Sequence, residues 1–259
     1  MSHPLRSRRR PAVGAPAWPS FRGVAQQVGT SPSGRVTVYV DPNLGAPGLE
    51  NGRSLLADAD RIVAANDAVF GVAGGAVEVV VFALGGATDG TGGADHMGCD
   101  YQTGAAIEVD ASFGAPERVA ALFEAELSEC SMGGNLCGVS TGEALSRRCA
   151  ASVSNDALAD FATAPDWAGA GMPNYVDKTY PSDQDGASIG CGMAFISWLV
   201  GKGAALADIA RELVGLGAKG TFAEVFASIT GQPKSQAWPQ FQAAVRALPG
   251  GVTNDAPFG

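Results

Sequence analysis

Histidine is nearly missing from this chain: its 259 residues contain only His3 and His96. Imidazole acid–base or ligand chemistry therefore falls to His96, because His3 sits in an arginine-bearing N-terminal stretch. No run of about 18 uncharged apolar residues occurs, which excludes a membrane-spanning helix. The five cysteines, Cys99, Cys130, Cys137, Cys149 and Cys191, include no C-x-x-C pair, so zinc-finger and thioredoxin-type arrangements drop out. A nucleophilic serine finds no G-x-S-x-G elbow. The glycine-rich stretch 85–93 has neither the Lys and Ser/Thr of a phosphate loop nor a G-x-G-x-x-G pattern before a helix. Basic charge is also short, with 17 Lys and Arg against 26 Asp and Glu, a net charge of −9 and a pI near 4.7. Nucleic acid is excluded as a general partner, since phosphate binding needs surplus cations.

What is present is ample core material. Apolar residues make up 46% of the chain, and the 36 glycines and 15 prolines are scattered among periodic apolar segments, as tight turns in a globular protein require. The reading is one α+β domain over residues 31–250, with a small twisted sheet and a motif helix in 31–150 and a mainly helical part in 151–250. Residues 1–30, with Arg6, Arg8, Arg9 and Arg10, read as a flexible basic arm, and 251–259 as a flexible tail. The arm lacks the continuous apolar region and small-residue cleavage site of a secretory signal, so a soluble, cytoplasmic protein is expected. In that compartment all five thiols would be small buried hydrophobes. In an exported protein, Cys130 and Cys137 would be placed to pair across a glycine turn.

In chain order, Arg35–Asp41 alternates Val36, Val38 and Val40 with Thr37 and Tyr39, a strand signature. Residues 53–70 put Leu55, Ala59, Ile62, Val63 and Asn66 on one helical face, with Gly71 as the stop. Ala76–Leu84 is almost wholly apolar and reads as a central strand covered on both faces. After a loop at 94–104 comes a short edge strand, 105–111. Further helices are expected at 192–200, 206–216, 221–230 and 238–248, the first apolar on nearly every side.

The helix opening at Pro116 carries the chemistry. Proline at the first helical position and an early Glu117 suit a helix start. Val119, Leu122, Phe123 and Cys130 form its apolar stripe, and Glu126 falls inside that stripe, with Glu124 off to the side. A carboxylate so placed must bind a cation, share a proton or meet an arginine such as Arg147 or Arg148. Glu129 lies one turn on, within chelating reach. Glu143 opens a second helical segment fourteen residues after Glu129, which a helical hairpin brings back to the same place.

This order of strands, acidic helix and downstream glutamate resembles the gluzincin metallopeptidases over roughly residues 36–150. Their signature is H-E-x-x-H with a later Glu, in which two histidines hold zinc and the intervening Glu polarises a water. A-E-L-S-E at 125–129 is similar to it, with Ala125 for the first His and Glu129 for the second. The resemblance implies Glu126 as general base and Glu143 as third ligand. Ala125 ligates nothing, so an ordinary zinc peptidase is not expected. His96 and Asp100 would supply replacement donors, giving a carboxylate-rich site for one divalent ion that suits manganese, magnesium or calcium better than zinc. The expected function is a degenerate metallopeptidase-like scaffold that binds a peptide or protein ligand. The alternatives are an active hydrolase using Glu126 and His96, and an assembly protein self-associating through its basic arm.

Overall fold

The computed structural model describes residues 16–102, 105–154 and 158–259. The arginine cluster of the N-terminal arm lies outside them. The chain is an α+β protein built on a five-stranded sheet. Its strands are β1 (Gln26–Thr30), β2 (Val36–Val40), β3 (Val77–Phe82), β4 (Ala94–His96) and β5 (Ala106–Asp110), in the order β1-β2-β3-β5-β4. The inner pairs β2–β3 and β3–β5 are parallel, and the edge strands β1 and β4 run antiparallel to their neighbours. Val36, Val38, Val79, Val81, Ile107 and Val109 point to one face, where they pack against α1 (Gly45–Phe70) and α2 (Pro116–Ser131). Val80 and Ala106 point to the other face, under Trp18 and Phe21. The apolar run of β3 is thus covered on both sides, as its composition implies.

Three expectations about element placement change. Residues 105–111 are not the sheet edge, because β4 pairs outside them with His96 opposite Ile107. Helix α1 begins at Gly45, well before residue 53. Its first turns, G-A-P-G-L-E-N-G, carry loop-like glycines for a packing reason: a Cβ on Gly52 would come within 3.0 Å of Val28 on β1. The third change concerns the arm. From residue 16 onward it belongs to the fold, since β1 is a sheet strand, Trp18 meets Tyr39 edge-on at 5.5 Å and Phe21 packs on Phe82 at 5.1 Å.

The anchor for that segment is Glu108, fully buried on β5 and facing away from α1 and α2. It accepts hydrogen bonds from Ser20 N at 2.9 Å, from Phe21 N at 2.6 Å and from the Ser20 hydroxyl. Two residues on, Asp110 shares this face and accepts from Leu84 N at 3.0 Å and Gly92 N at 3.1 Å, fixing the glycine-rich loop. Alternation of Glu108 and Asp110 with Ile107 and Val109 is therefore not a solvated face. Each acid replaces water with backbone N–H donors.

The second half of the chain adds α3 (Ser140–Ser154), α4 (Ala164–Gly169), α5 (Gly186–Gly201), α6 (Leu206–Leu216), α7 (Phe222–Thr230) and α8 (Ala237–Arg246). Helix α5 is buried almost all round and is the axis of a core in which Phe195, Trp198, Phe222, Phe226 and Phe241 interlock. At its crossing with α3, Gly192 leaves no room for a side chain, because a Cβ would stand 2.6 Å from that of Ala144. The turn 182–186 serves as this helix's start, with Asp185 accepting from Ser188 N at 2.7 Å. Residues 251–259 are not a loose tail. Phe258 packs on the core, its N–H donates to Ser197 Oγ at 3.1 Å, and Asp255 accepts from Thr163 N and Ala164 N at 2.8 and 2.7 Å. Among the described residues no helix is long and apolar enough to cross a membrane.

Glu108→Ala leaves two backbone donors without their acceptor. It is expected to cost about 2–4 kcal/mol in urea unfolding and to open residues 16–25 to protease before the rest of the chain.

Candidate functional site

Helix α2 starts at Pro116, where the missing N–H costs nothing, with Glu117 in its first turn. It packs on the sheet through Val119, Leu122, Phe123 and Leu127, all buried. After a glycine-rich link it is followed by α3, which carries Glu143 in its first turn, so the hairpin expected from the Glu129–Glu143 spacing forms. Edge strand β4 runs alongside α2 and supplies His96. His96 is therefore a strand residue, although the glycines on either side, Gly93 and Gly98, make its segment look like loop.

Four of the five site residues expected from sequence converge. His96 Nε2 lies 3.0 Å from Glu129 Oε2 and 3.8 Å from Glu126 Oε2, and one donor atom from each of the three falls within 4.8 Å of the others. The Glu143 carboxyl is within hydrogen-bonding reach of Glu129 and accepts a hydrogen bond from Arg147 Nε–H on Oε1 at 2.7 Å. Arg147 also donates to the Phe161 carbonyl at 2.7 Å. Glu126 is thus not paired with an arginine among the described residues; Arg147 serves Glu143. The fifth residue, Asp100, stays outside. Its carboxylate accepts from Gln102 N at 2.8 Å, while the aspartates at the cleft are Asp95, next to His96 on β4, Asp183 and Asp255.

These groups form one wall of a cavity of about 350 Å³. Leu122, Ala125, Leu158, Phe161 and Met193 make its apolar side. Ala125 lines the cleft one position before Glu126 and is packed with Ala121, Ala150 and Leu158. The side chains of His96 and Glu126 are only 11% and 14% exposed, so their charges interact through little water.

Electrostatics follow from crowding acids in a dry place. Burial pushes Glu126 well above the usual carboxylate range, and Glu129, Glu143 and Asp95 push it further. Glu143 is raised to about 7, again chiefly by burial, against the pull of Arg147. For His96 burial disfavours the charged ring, yet the Glu129 carboxylate and then Asp95 outweigh it, so its pKa is raised. Cys130, buried behind Glu126 and Glu129, is pushed up to about 12, mainly by burial, and is no nucleophile.

Two features were not foreseen. Glu124, read as lying off to the side, is fully buried, and neither carboxylate oxygen has a hydrogen-bond partner among the described residues. Burial raises its pKa well above normal, which favours the neutral acid, with Arg61 opposing. The second feature is a disulfide between Cys99 and Cys137, Cα atoms 5.9 Å apart, in place of the Cys130–Cys137 pairing; Cys130, Cys149 and Cys191 are buried and take no part in a disulfide. Closing a loop between residues 38 apart stabilises by about 3–4 kcal/mol on chain-entropy grounds. Spacing alone favoured the shorter partner, and only the sheet order, which brings the segment after β4 to the α2–α3 link, reveals the longer one.

No protein-family model matches this sequence, and no curated protein matches it.

Stability should depend on pH in a definite direction. Glu126, Glu143 and Glu124 hold protons in the folded chain that the unfolded chain releases above its ordinary carboxylate range. Stability from these groups therefore falls as pH rises toward and through their folded values. His96, raised on folding, contributes fully below its unfolded value and loses that contribution as pH rises through the folded one. Both effects share a sign. Chemical unfolding without added divalent ion is expected to show a loss of roughly 1–3 kcal/mol between about pH 5 and pH 8. A flat or rising profile would contradict these assignments.

Proposed function

We propose that this chain is a metallopeptidase-like scaffold whose cleft binds a peptide or protein segment around one divalent cation. The carrying observation is the convergence of His96, Glu126 and Glu129, from a sheet edge and a helix, to within 4.8 Å of one another. One imidazole and a majority of carboxylate oxygens suit manganese, magnesium or calcium better than zinc, which prefers nitrogen and sulfur donors. Glu143 completes the donor set from α3, and its pair with Arg147 fixes that carboxylate's orientation as an outer hydrogen-bond partner does in metal sites. The raised carboxyls fit this reading too, since a cation replaces the protons that otherwise keep the acids neutral. Beside the charged wall, the apolar side offers room for a ligand side chain.

A second reading, an active hydrolase, draws support from Glu126. It has no arginine to neutralise it and faces the cavity, so with the cation held by His96, Glu129 and Glu143 it is free to take a proton from water. Ala125 counts against this reading, because an imidazole ligand beside the base is absent.

Calorimetry with manganese, magnesium, calcium and zinc separates these readings. Stoichiometric binding with carboxylate-type preference is expected, and Glu129→Gln or His96→Ala should weaken it about 10–100-fold. Absence of binding by all four ions at millimolar concentration would overturn the cation site. Turnover of a peptide library that disappears in Glu126→Gln would establish the hydrolase, whereas binding without turnover supports the scaffold.

A further inference from the structure

We propose that the Cys99–Cys137 disulfide is a redox-operated clamp that sets the distance between His96 and the Glu129–Glu143 pair. The inference rests on the cation reading of the cleft for its function, and on the fold alone for its mechanics.

The residues of the site come from two segments far apart in sequence, 94–99 and 126–143. His96 ends a three-residue edge strand that, among the described residues, pairs with β5 alone, and it is bracketed by Gly93 and Gly98, both at positive φ. Glu129 and Glu143 stand at either end of the α2–α3 link, which contains Gly133, Gly134 and Gly138, also at positive φ. Glycine is the residue that loses most conformational freedom on ordering, so both segments resist being held in one place. The disulfide joins them directly. Cys99 is three residues beyond His96, and Cys137 lies between Glu129 and Glu143.

A small internal space shows how close the bond is to the site. His96, Glu129, Met132, Leu136 and both disulfide cysteines line it together. A second tether holds the same segment from the far side, where Tyr101 OH meets Ser131 Oγ at 2.8 Å and Ser131 receives Asn66 Nδ2 at 2.6 Å. The clamp therefore acts on residues 96–99, while Tyr101 keeps the segment attached when the bond opens. Cys137 is exposed and Cys99 half-buried, so a reductant reaches the bond without unfolding the chain.

The chemistry balances with a dithiol as reductant. Its thiolate attacks one cysteine sulfur, the S–S bond breaks, and the other cysteine leaves and takes a proton. The reagent's second thiolate then closes its own disulfide and releases the first cysteine as a thiol. Two electrons and two protons pass to the protein. With the bond open, the segment carrying His96 gains freedom relative to α2, and a cation must pay to order it again.

The test uses the full chain, oxidised and dithiothreitol-reduced, with manganese titrated by calorimetry and amide hydrogen exchange followed by mass spectrometry. Reduction is expected to weaken manganese binding tenfold or more. It should also speed exchange tenfold or more around Met97, whose N–H donates to Ala106 O at 2.9 Å, while α6 to α8 keep their protection. Cys99→Ala/Cys137→Ala should match the reduced protein and ignore the reductant. Unchanged affinity and exchange on reduction would overturn the clamp, as would loss of protection everywhere, which marks a general brace. If manganese binds neither form, the cation reading has failed, and exchange at Met97 alone decides: accelerated exchange upholds the clamp and unchanged exchange rejects it.

Discussion

A carboxylate taken out of water must be given donors, a cation or a proton, and the architecture of this chain follows from how each buried acid meets that demand. Glu108 receives the backbone of residues 20 and 21, and the N-terminal segment is thereby drawn over the sheet. Asp110 receives the amides of the glycine-rich loop that leads into β4. Glu143 takes Arg147, which in turn ties α3 to the carbonyl of Phe161. At Glu124, whose oxygens find no partner among the described residues, and at Glu126, burial raises the carboxyl well above its ordinary range. The two are not alike. Glu124 is enclosed on every side, while Glu126 opens on a cavity with an imidazole and a second carboxylate close by.

That contrast locates the site better than acid density does. On a helical wheel, Glu124 and Glu126 differ by two positions, so one falls on the α2 face turned to the neighbouring helices and the other on the face turned to β4. Helical and hairpin spacing picked out Glu126, Glu129 and Glu143, and the fold assembles those three with His96. The nitrogen donor, His96, enters from a strand and not from the helix. A donor set drawn from three separate elements depends on their relative placement, whereas two histidines one helical turn apart are aligned by the helix itself.

Much of this was legible in sequence because it is periodic. The alternation in 35–41, the apolar run in 76–84 and the 3.6-residue stripes of the helices each report a buried face, and hydrophobic burial dominates which elements form. What escaped was aperiodic. The first turns of α1 hide behind glycines that serve a close approach to β1, and β4 is three residues long between two more. The N-terminal cover rests on two aromatic residues and on a carboxylate 88 positions away. The Cys99–Cys137 pair likewise needs the strand order, which local pattern does not contain. His96 was read as a loop residue for want of one fact, that residues 94–96 form a strand whose pairing sets His96 opposite Ile107, on the face turned to α2.

The crossing of α5 over α3 ties the two halves of the chain in another way. Gly192 meets Ala144 where a single added carbon would force the helices apart, and Ala144 directly follows Glu143. The depth at which that glutamate sits is thus gauged by the aromatic core behind it, with the missing side chain of one glycine acting as the shim. Thickening the shim by a methyl group would move a carboxylate in the cleft without touching anything inside it.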